Sequence, residues 1–317
     1  MRVLIASLIL LGPLDASNVC GTIRALVRAE AQKQDIPAIS VAILQHNQVA
    51  CSISLGWADL EQRVPNTPKS LHRLASLSKP VSAVLTMKLI EEKKIALDDS
   101  VRRYLPDLQD RYDPVTIRRL LCHQSGIREY ANLEEVFSTR HYADLRAALA
   151  IFIESPLLFP PGSKTAYTTY GYTLLGAVLE NATGERFQQI LRKRLNMFTV
   201  DDFTALTSNR VRPYRKKADS TWENAPAFDA SNKYPGGGLL SSADEYADFL
   251  VAVNSGRILR REPVAEMWTQ QKLNDGALVP YATLGWATGM RHGHRFFTHG
   301  GLQPGTTTVM HFFPDSG

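Results

Sequence analysis

The tetrapeptide Ser76-Leu77-Ser78-Lys79 opens a run of apolar, helix-favouring residues that includes Val81, Ala83, Val84, Leu85, Met87, Leu89 and Ile90. The pattern predicts a helix from Ser76 to about Ile95. Three residues are nearly one helical turn, so the Ser76 hydroxyl and the Lys79 ammonium project from one face. Serine is inert at its own pKa and needs a neighbouring base, while first-turn amides of a helix help to stabilise an oxyanion formed there. Pro80 is compatible with this, because a proline in the first turn removes an amide that has no partner anyway. Alone, Ser-x-x-Lys recurs by chance about once in a chain of this length, so the motifs downstream decide its meaning.

With 317 residues, 44% hydrophobic and 21% charged, the chain can bury a full core. The net charge is +5 and the pI about 9.1, but Lys and Arg are spread along the chain. The nearest basic run, Arg210 to Lys217, is interrupted by Val211, Pro213 and Tyr214 and reads as a solvated loop, which argues against a nucleic-acid partner. Arg2, the apolar run Val3 to Leu11 and Gly12-Pro13 predict a secretory signal over residues 1–16, cleaved near Ala16. A secreted or periplasmic location follows, with no stable membrane insertion after removal, since no other segment approaches spanning length. Cys20, Cys51 and Cys122 have no Cys-x-x-Cys spacing and leave room for one bridge at most in an oxidising compartment. No metal-ligand pattern is present, and His292 and His294 read as a turn.

Along the chain, an amphipathic helix over about Gly21 to Lys33 precedes a hairpin of Ile39–Leu44 and Val49–Trp57 around His46-Asn47-Gln48. After the Ser76 helix, Leu97-Asp98-Asp99-Ser100 reads as a capped turn. Helices are expected over Thr116–Leu121, Tyr142–Ile153, Tyr170–Asn181 and Glu185–Leu195. Ser241-Ser242-Ala243-Asp244 caps a helix over Glu245–Val253. Leu284–Ala287, Arg295–Thr298 and Thr306–Phe313 read as strands. The expected architecture is α+β: an antiparallel sheet from both chain ends, over about 17–65 and 280–317, with an all-helical lobe inserted over about 70–275, together one domain over 17–317.

Two further elements complete a catalytic set. Tyr167-Thr168-Thr169 precedes the helix at Tyr170, and His299-Gly300-Gly301 ends a strand. A phenol beside a lysine can share its proton and act as base toward a serine, because the ammonium favours the phenolate. Two glycines at a strand end let a substrate lie against the backbone and meet its amides.

In the order Ser-x-x-Lys, Tyr-x-Thr, His-Gly-Gly, the chain resembles the serine beta-lactamase and penicillin-binding protein superfamily, in its class C and esterase-like, peptidase S12-like branch. The resemblance runs over about residues 20–317 and includes Gly56-Trp57-Ala58-Asp59-Leu60, His123-Gln124-Ser125-Gly126, Pro161-Gly162 and Gly236-Gly237-Gly238-Leu239-Leu240-Ser241. It implies a beta-lactamase/transpeptidase-like fold and a hydrolase that forms an acyl-enzyme on an ester, peptide or lactam carbonyl. By that resemblance Ser76 is the nucleophile, Lys79 and Tyr167 move the proton, and the amides of Ser76 and Leu302 form the oxyanion hole. Thr169, His299, Gly300 and Gly301 would contact the substrate, a small acyl or peptide compound, with no cofactor and no metal.

The departures bear on the substrate. Beta-lactamases of this branch carry Asn where Thr169 stands and Lys-Thr-Gly where His299-Gly300-Gly301 stands. A hydroxyl lacks the paired donor and acceptor of an amide, and an ordinary imidazole is mostly neutral at pH 7. Both changes point to an esterase or peptidase rather than an efficient beta-lactamase. A looser similarity to the mitochondrial beta-lactamase-like protein of animals extends the alternatives to a weakly active binding or filament-forming protein, and leaves an oligomer open. Arg192, where class A enzymes would place a glutamate before Leu195-Asn196, favours the tyrosine route. An α/β-hydrolase is disfavoured by the absence of Gly-x-Ser-x-Gly. His123 reads as a loop hydrogen-bonder, Arg73 as a surface or sheet-edge charge, and Trp222, Trp268 and Trp286 as packing. The family continues with a strand and a closing helix, so the resemblance implies two elements that these 317 residues lack.

Overall fold

The computed structural model describes residues 16–316. The expected signal therefore lies outside the described residues except for Ala16, which opens helix α1 (Ala16–Lys33). Strands β1 (Ala38–Gln45) and β2 (Gln48–Asp59) form the expected hairpin, with Val41 opposite Ile53 and Ile43 opposite Cys51. His46 and Asn47 take φ of 53° and 59°, the backbone that a tight hairpin turn between right-twisted strands requires. β3 (Val64–Pro65) extends this sheet. A Cys20–Cys51 disulfide with Cα atoms 5.4 Å apart ties α1 to β2. Ile23, Val27, Cys51 and Ile53 form a small cluster beneath it, separate from the main core.

β4 (His72–Arg73) leads into a single 3-10 turn, Ala75–Leu77, and then helix α2 (Ser78–Glu91). Ser78 to Met87 and Leu89 are all buried, because a helix apolar on every side is stable only at the centre of a core. α2 ends at Glu91 rather than at Ile95, the chain turning away with Lys93 at φ 59°. Ser100 caps a 3-10 turn as expected.

The inserted lobe continues with α3 (Ile117–Leu121), capped by Thr116, then α4 (Leu133–Val136) and α5 (Leu145–Ala148). The expected Tyr142–Ile153 helix is broken. Asp144 caps it from within by accepting from the Ala147 amide, and after Ala148 the chain tightens into a 3-10 turn. α6 (Thr169–Thr183) is capped by Thr168 and closed by Gly184 at φ 70°, and α7 (Phe187–Leu195) follows. α8 (Tyr234–Gly237), α9 (Ala243–Asn254), capped by Ser242, and α10 (Arg261–Met267) complete the helices.

This lobe is not all helical. β8 (Leu239–Ser241) pairs with β4 on one side and β5 (Thr199–Val200) on the other, and β6 (Tyr214–Lys216) pairs with β7 (Trp222–Asn224). The expected Arg210–Lys217 loop thus contains a strand, and its charges are paired, Arg210 with Asp201, Arg212 with Glu61 and Lys216 with Asp35. Arg73 does lie on a sheet-edge strand, β4, but is mostly buried rather than a surface charge. It bonds the buried Asp201 at 2.7 Å and lies over the Phe228 ring.

β9 (Ala287–Arg291), β10 (His294–Gln303) and β11 (Thr306–Phe312) make an antiparallel sheet in the order β9-β10-β11. His292 and Gly293, both at positive φ, turn β9 into β10. Leu284–Ala287 is not a strand up to Ala287, since Gly285 at φ 82° bends the chain there. The fold is α+β with antiparallel sheets contributed by both ends, as expected. Among the described residues the two ends form separate three-stranded sheets rather than one, meeting where the His46 amide donates to the Ser316 carbonyl.

Candidate active site

Ser76 sits in the 3-10 turn ahead of α2, not in the first turn of the α-helix itself. The preceding Ala75 is fully buried with φ 49°, a left-handed backbone that costs energy for a residue with a Cβ and that surrounding structure must hold in place. β10 and β11 supply that support. The Thr308 hydroxyl donates to the Leu74 carbonyl at 2.7 Å, and Gly301 lies so close that a Cβ there would collide with Thr308 Oγ1 and stand 2.6 Å from the Leu74 carbonyl. The glycines of His299-Gly300-Gly301 are thus explained at position 301 by contact with the serine turn.

One turn on, the Lys79 Nζ donates to Ser76 Oγ at 3.1 Å, to the Gly236 carbonyl at 2.7 Å and toward Thr169 Oγ1 at 3.5 Å. Its side chain has no exposed surface. Burial disfavours the ammonium and lowers the pKa from 10.5 to about 7, against an opposing pull from the Glu129 carboxylate.

Tyr167 immediately precedes Thr168, the α6 cap, so the helix start fixes its position. Nearly half of the residue is exposed, yet its hydroxyl is turned inward and donates to Ser76 Oγ at 2.7 Å. Burial pushes the phenol above its usual range, with the Ser76 hydrogen bond opposing and Glu129 adding. The expected phenolate is therefore disfavoured, and the labile proton near neutral pH belongs to Lys79.

The imidazoles around this trio are neutral at pH 7. His123, at φ 60° beyond α3, accepts from the Thr168 amide and packs 4.5 Å from the Tyr167 ring. Burial and the nearby Lys79 hold its pKa well below 6.5. His299, with its ring 6.4 Å from that of Tyr167, is lowered to about 4 by burial, again helped by Lys79.

The structure thus brings Ser76, Lys79, Tyr167 and Thr169 together, sets His299 beside Tyr167, and places Leu302 on the cleft wall with Ser76. It adds residues that sequence reasoning missed: Glu129, which accepts from the Thr169 amide, and Tyr130, Lys233 and Gln303, which line the cleft. Only the position of Lys233, three residues before the Gly236-Gly237-Gly238 stretch, pointed to the cleft. Among the described residues no group of three or more His, Cys, Asp and Glu side chains could hold a metal ion. No helix there is long and apolar enough to cross a membrane.

An α+β fold whose serine turn, lysine helix and tyrosine loop converge on one cleft is that of the serine beta-lactamase and penicillin-binding protein superfamily. Residues 23–317 match the Beta-lactamase family, and the chain belongs to it.

Its relatives include the human serine beta-lactamase-like protein LACTB, mitochondrial, 28% identical, with 67% of this chain and 52% of that protein covered. Protein flp of Staphylococcus aureus strain MW2 is 25% identical over 52% of this chain and 34% of its own. The chain therefore spans about half or less of these relatives. Among solved structures, D-amino acid amidase from Ochrobactrum anthropi SV3 superposes with a TM-score of 0.80 at 22% identity, over 96% of this chain and 90% of that one. The octameric penicillin-binding protein homologue from Pyrococcus abyssi gives 0.79 at 22%, over 93% and 71%. At such identities these two likenesses concern the fold.

Proposed function

We propose that this protein is a secreted or periplasmic serine hydrolase that works through an acyl-enzyme at Ser76 and prefers ester or peptide carbonyls to beta-lactams. The observation that carries the reading is the convergence of Lys79 Nζ and Tyr167 Oη on Ser76 Oγ. With a pKa of about 7, Lys79 is the free amine in a large fraction of molecules at neutral pH. That amine takes the Ser76 proton as Oγ attacks the carbonyl carbon. The amides of Ser76 and Leu302 meet the developing oxyanion. The Tyr167 phenol passes a proton to the leaving oxygen or nitrogen and is reprotonated from the Lys79 ammonium. Water then attacks the acyl ester and gives a proton to Lys79, which passes it to the departing Ser76 Oγ as the acid is released and so returns to the free amine.

Thr169 and the neutral His299 supply neither an amide nor a cation to a penicillin, which supports the ester or peptide preference. No cofactor or metal belongs to this reading. The unit is one domain over 17–317.

Intact-protein mass spectrometry after treatment with a fluorophosphonate tests the reading, alongside turnover of p-nitrophenyl esters and nitrocefin. The expected result is one adduct on Ser76, absent from Ser76→Ala, with ester turnover exceeding nitrocefin turnover. Equal labelling of the alanine variant would overturn the assignment. A folded protein that takes no label and turns over no ester would favour a binding role for the same fold.

A further inference from the structure

The cleft beside Ser76 contains a second buried amine. Lys233, 3% exposed, immediately precedes α8, the same short turn whose Gly236 carbonyl receives Lys79. Its Nζ has one hydrogen-bond acceptor, the Val136 carbonyl at 3.1 Å, and lies 5.0 Å from the centre of the Tyr130 ring and 4.8 Å from that of Phe228. An ammonium carries three donors, so this one is only partly satisfied by protein. No carboxylate of the described residues lies within ion-pair distance of it. Asp229, the nearest buried acid in sequence, is engaged by His141 Nδ1 and the Ser231 amide, and Glu129 accepts from the Thr169 amide. Burial and Arg73 favour the neutral amine, Glu129 and Asp229 favour the charge, and the pKa is lowered to about 8, which leaves it mostly charged at pH 7.

The two sides of Ser76 differ in charge. On the Tyr167 side, where a leaving group must sit to receive the phenol proton, the neighbouring His299 is neutral. The cleft that Lys233 lines, about 70 Å³, is bounded by Ser76, Thr169, Gly237, Tyr130 and Gln303 and by neither Tyr167 nor His299. Lys79 does not serve an anion there, because its Nζ is already held by Ser76, Thr169 and Gly236.

We propose that Lys233 is a substrate-binding residue that anchors an anionic group, of carboxylate chemistry, at the far end of the acyl portion. The preferred substrates are then acyl donors whose acid part is itself negatively charged. This rests on the reading of Ser76 as nucleophile for its chemistry, but not for the binding of the anion. Tyr130 and Phe228 screen the ammonium from water, which strengthens a charge-assisted hydrogen bond made there.

The test uses mono-4-nitrophenyl esters of succinate, glutarate and adipate against 4-nitrophenyl pentanoate, with the wild type, Lys233→Met and Lys233→Arg. Methionine keeps an apolar stem against the two rings and removes the charge. The ratio of kcat/KM for the best anionic ester to that for the uncharged ester is expected to fall at least ten-fold in Lys233→Met, mainly through KM, and to recover in part in Lys233→Arg. Calorimetric titration with glutarate needs no nucleophile, and Lys233→Met should weaken its binding ten-fold or more. An unchanged ratio and unchanged glutarate affinity would overturn the anchor. Should Lys233→Met not fold, wild-type protein alone decides: glutarate must bind more tightly than glutaramide and lose that advantage in high salt, and equal binding of the two would overturn the proposal. Loss of fluorophosphonate labelling with glutarate binding intact would instead indict Ser76 and leave the anchor standing.

Discussion

Burying the Lys79 ammonium beside Ser76 costs the folded state wherever the amine is protonated, and the same cost makes a base available near neutrality. The folded pKa of about 7 lies below the ordinary 10.5, so between these values the unfolded chain holds a proton that the folded one has released. Stability therefore rises with pH across that window, and the penalty is fully present below pH 7. Relative to Lys79→Met, the wild type should gain about 2 kcal/mol between pH 7 and pH 9, at 1.36 kcal/mol per pH unit of full proton difference, as read by denaturant unfolding at each pH. A parallel pH dependence in the two proteins would contradict the buried charge. In the proposed reaction kcat/KM rises through a single limb centred near pH 7, and the same substitution should remove that limb and slow acylation by roughly 10³-fold.

At the scale of elements, the serine turn is shaped by strands far away in sequence. β10 passes Gly301 against Leu74 and Ala75, and β11 bonds Leu74 through Thr308. Adding one methyl at position 301 should push β10 off the turn. Gly301→Ala is expected to slow fluorophosphonate labelling of Ser76 at least ten-fold while circular dichroism stays that of the wild type. Unchanged labelling would show that the turn holds itself. The same packing explains why Ser76-x-x-Lys79 is split between a 3-10 turn and an α-helix. A continuous α-helix from Ser76 has no need of a left-handed Ala75, whereas a turn pressed between β10 and α8 does.

Across the whole molecule, cohesion is uneven. Most buried apolar residues join one core around α2 and α6, while α1 and the hairpin share a small cluster pinned by Cys20–Cys51. Closing a loop across 31 residues of sequence separation contributes roughly 4 kcal/mol in the chain-entropy account. Reduction should lower stability by about that amount. It should speed hydrogen exchange at α1 amides while α2 and α6 amides keep their protection. Equal acceleration everywhere would mean that the two clusters unfold as one.

Local chemistry by itself determined the hairpin, the cap at Ser242, the α6 helix and most of α2, because side-chain period and capping groups are written in neighbouring residues, and the pairing of Ser76 with Lys79 is local too; Tyr167 joined them only through the order of motifs and the resemblance it carries. Long-range packing decided the rest. Whether Tyr142–Ile153 formed one helix depended on Asp144 capping from inside the span. The placing of Arg73 in a buried ion pair depended on Asp201, 128 residues away. Which group near Ser76 holds a movable proton was likewise set by burial, which lowers Lys79 and raises Tyr167. Lys233 belongs to this second class: its charge is plain in the sequence, but only the closing of Tyr130 and Phe228 around it aims that charge at the cleft, since desolvation is a property of the folded neighbourhood and not of the residue.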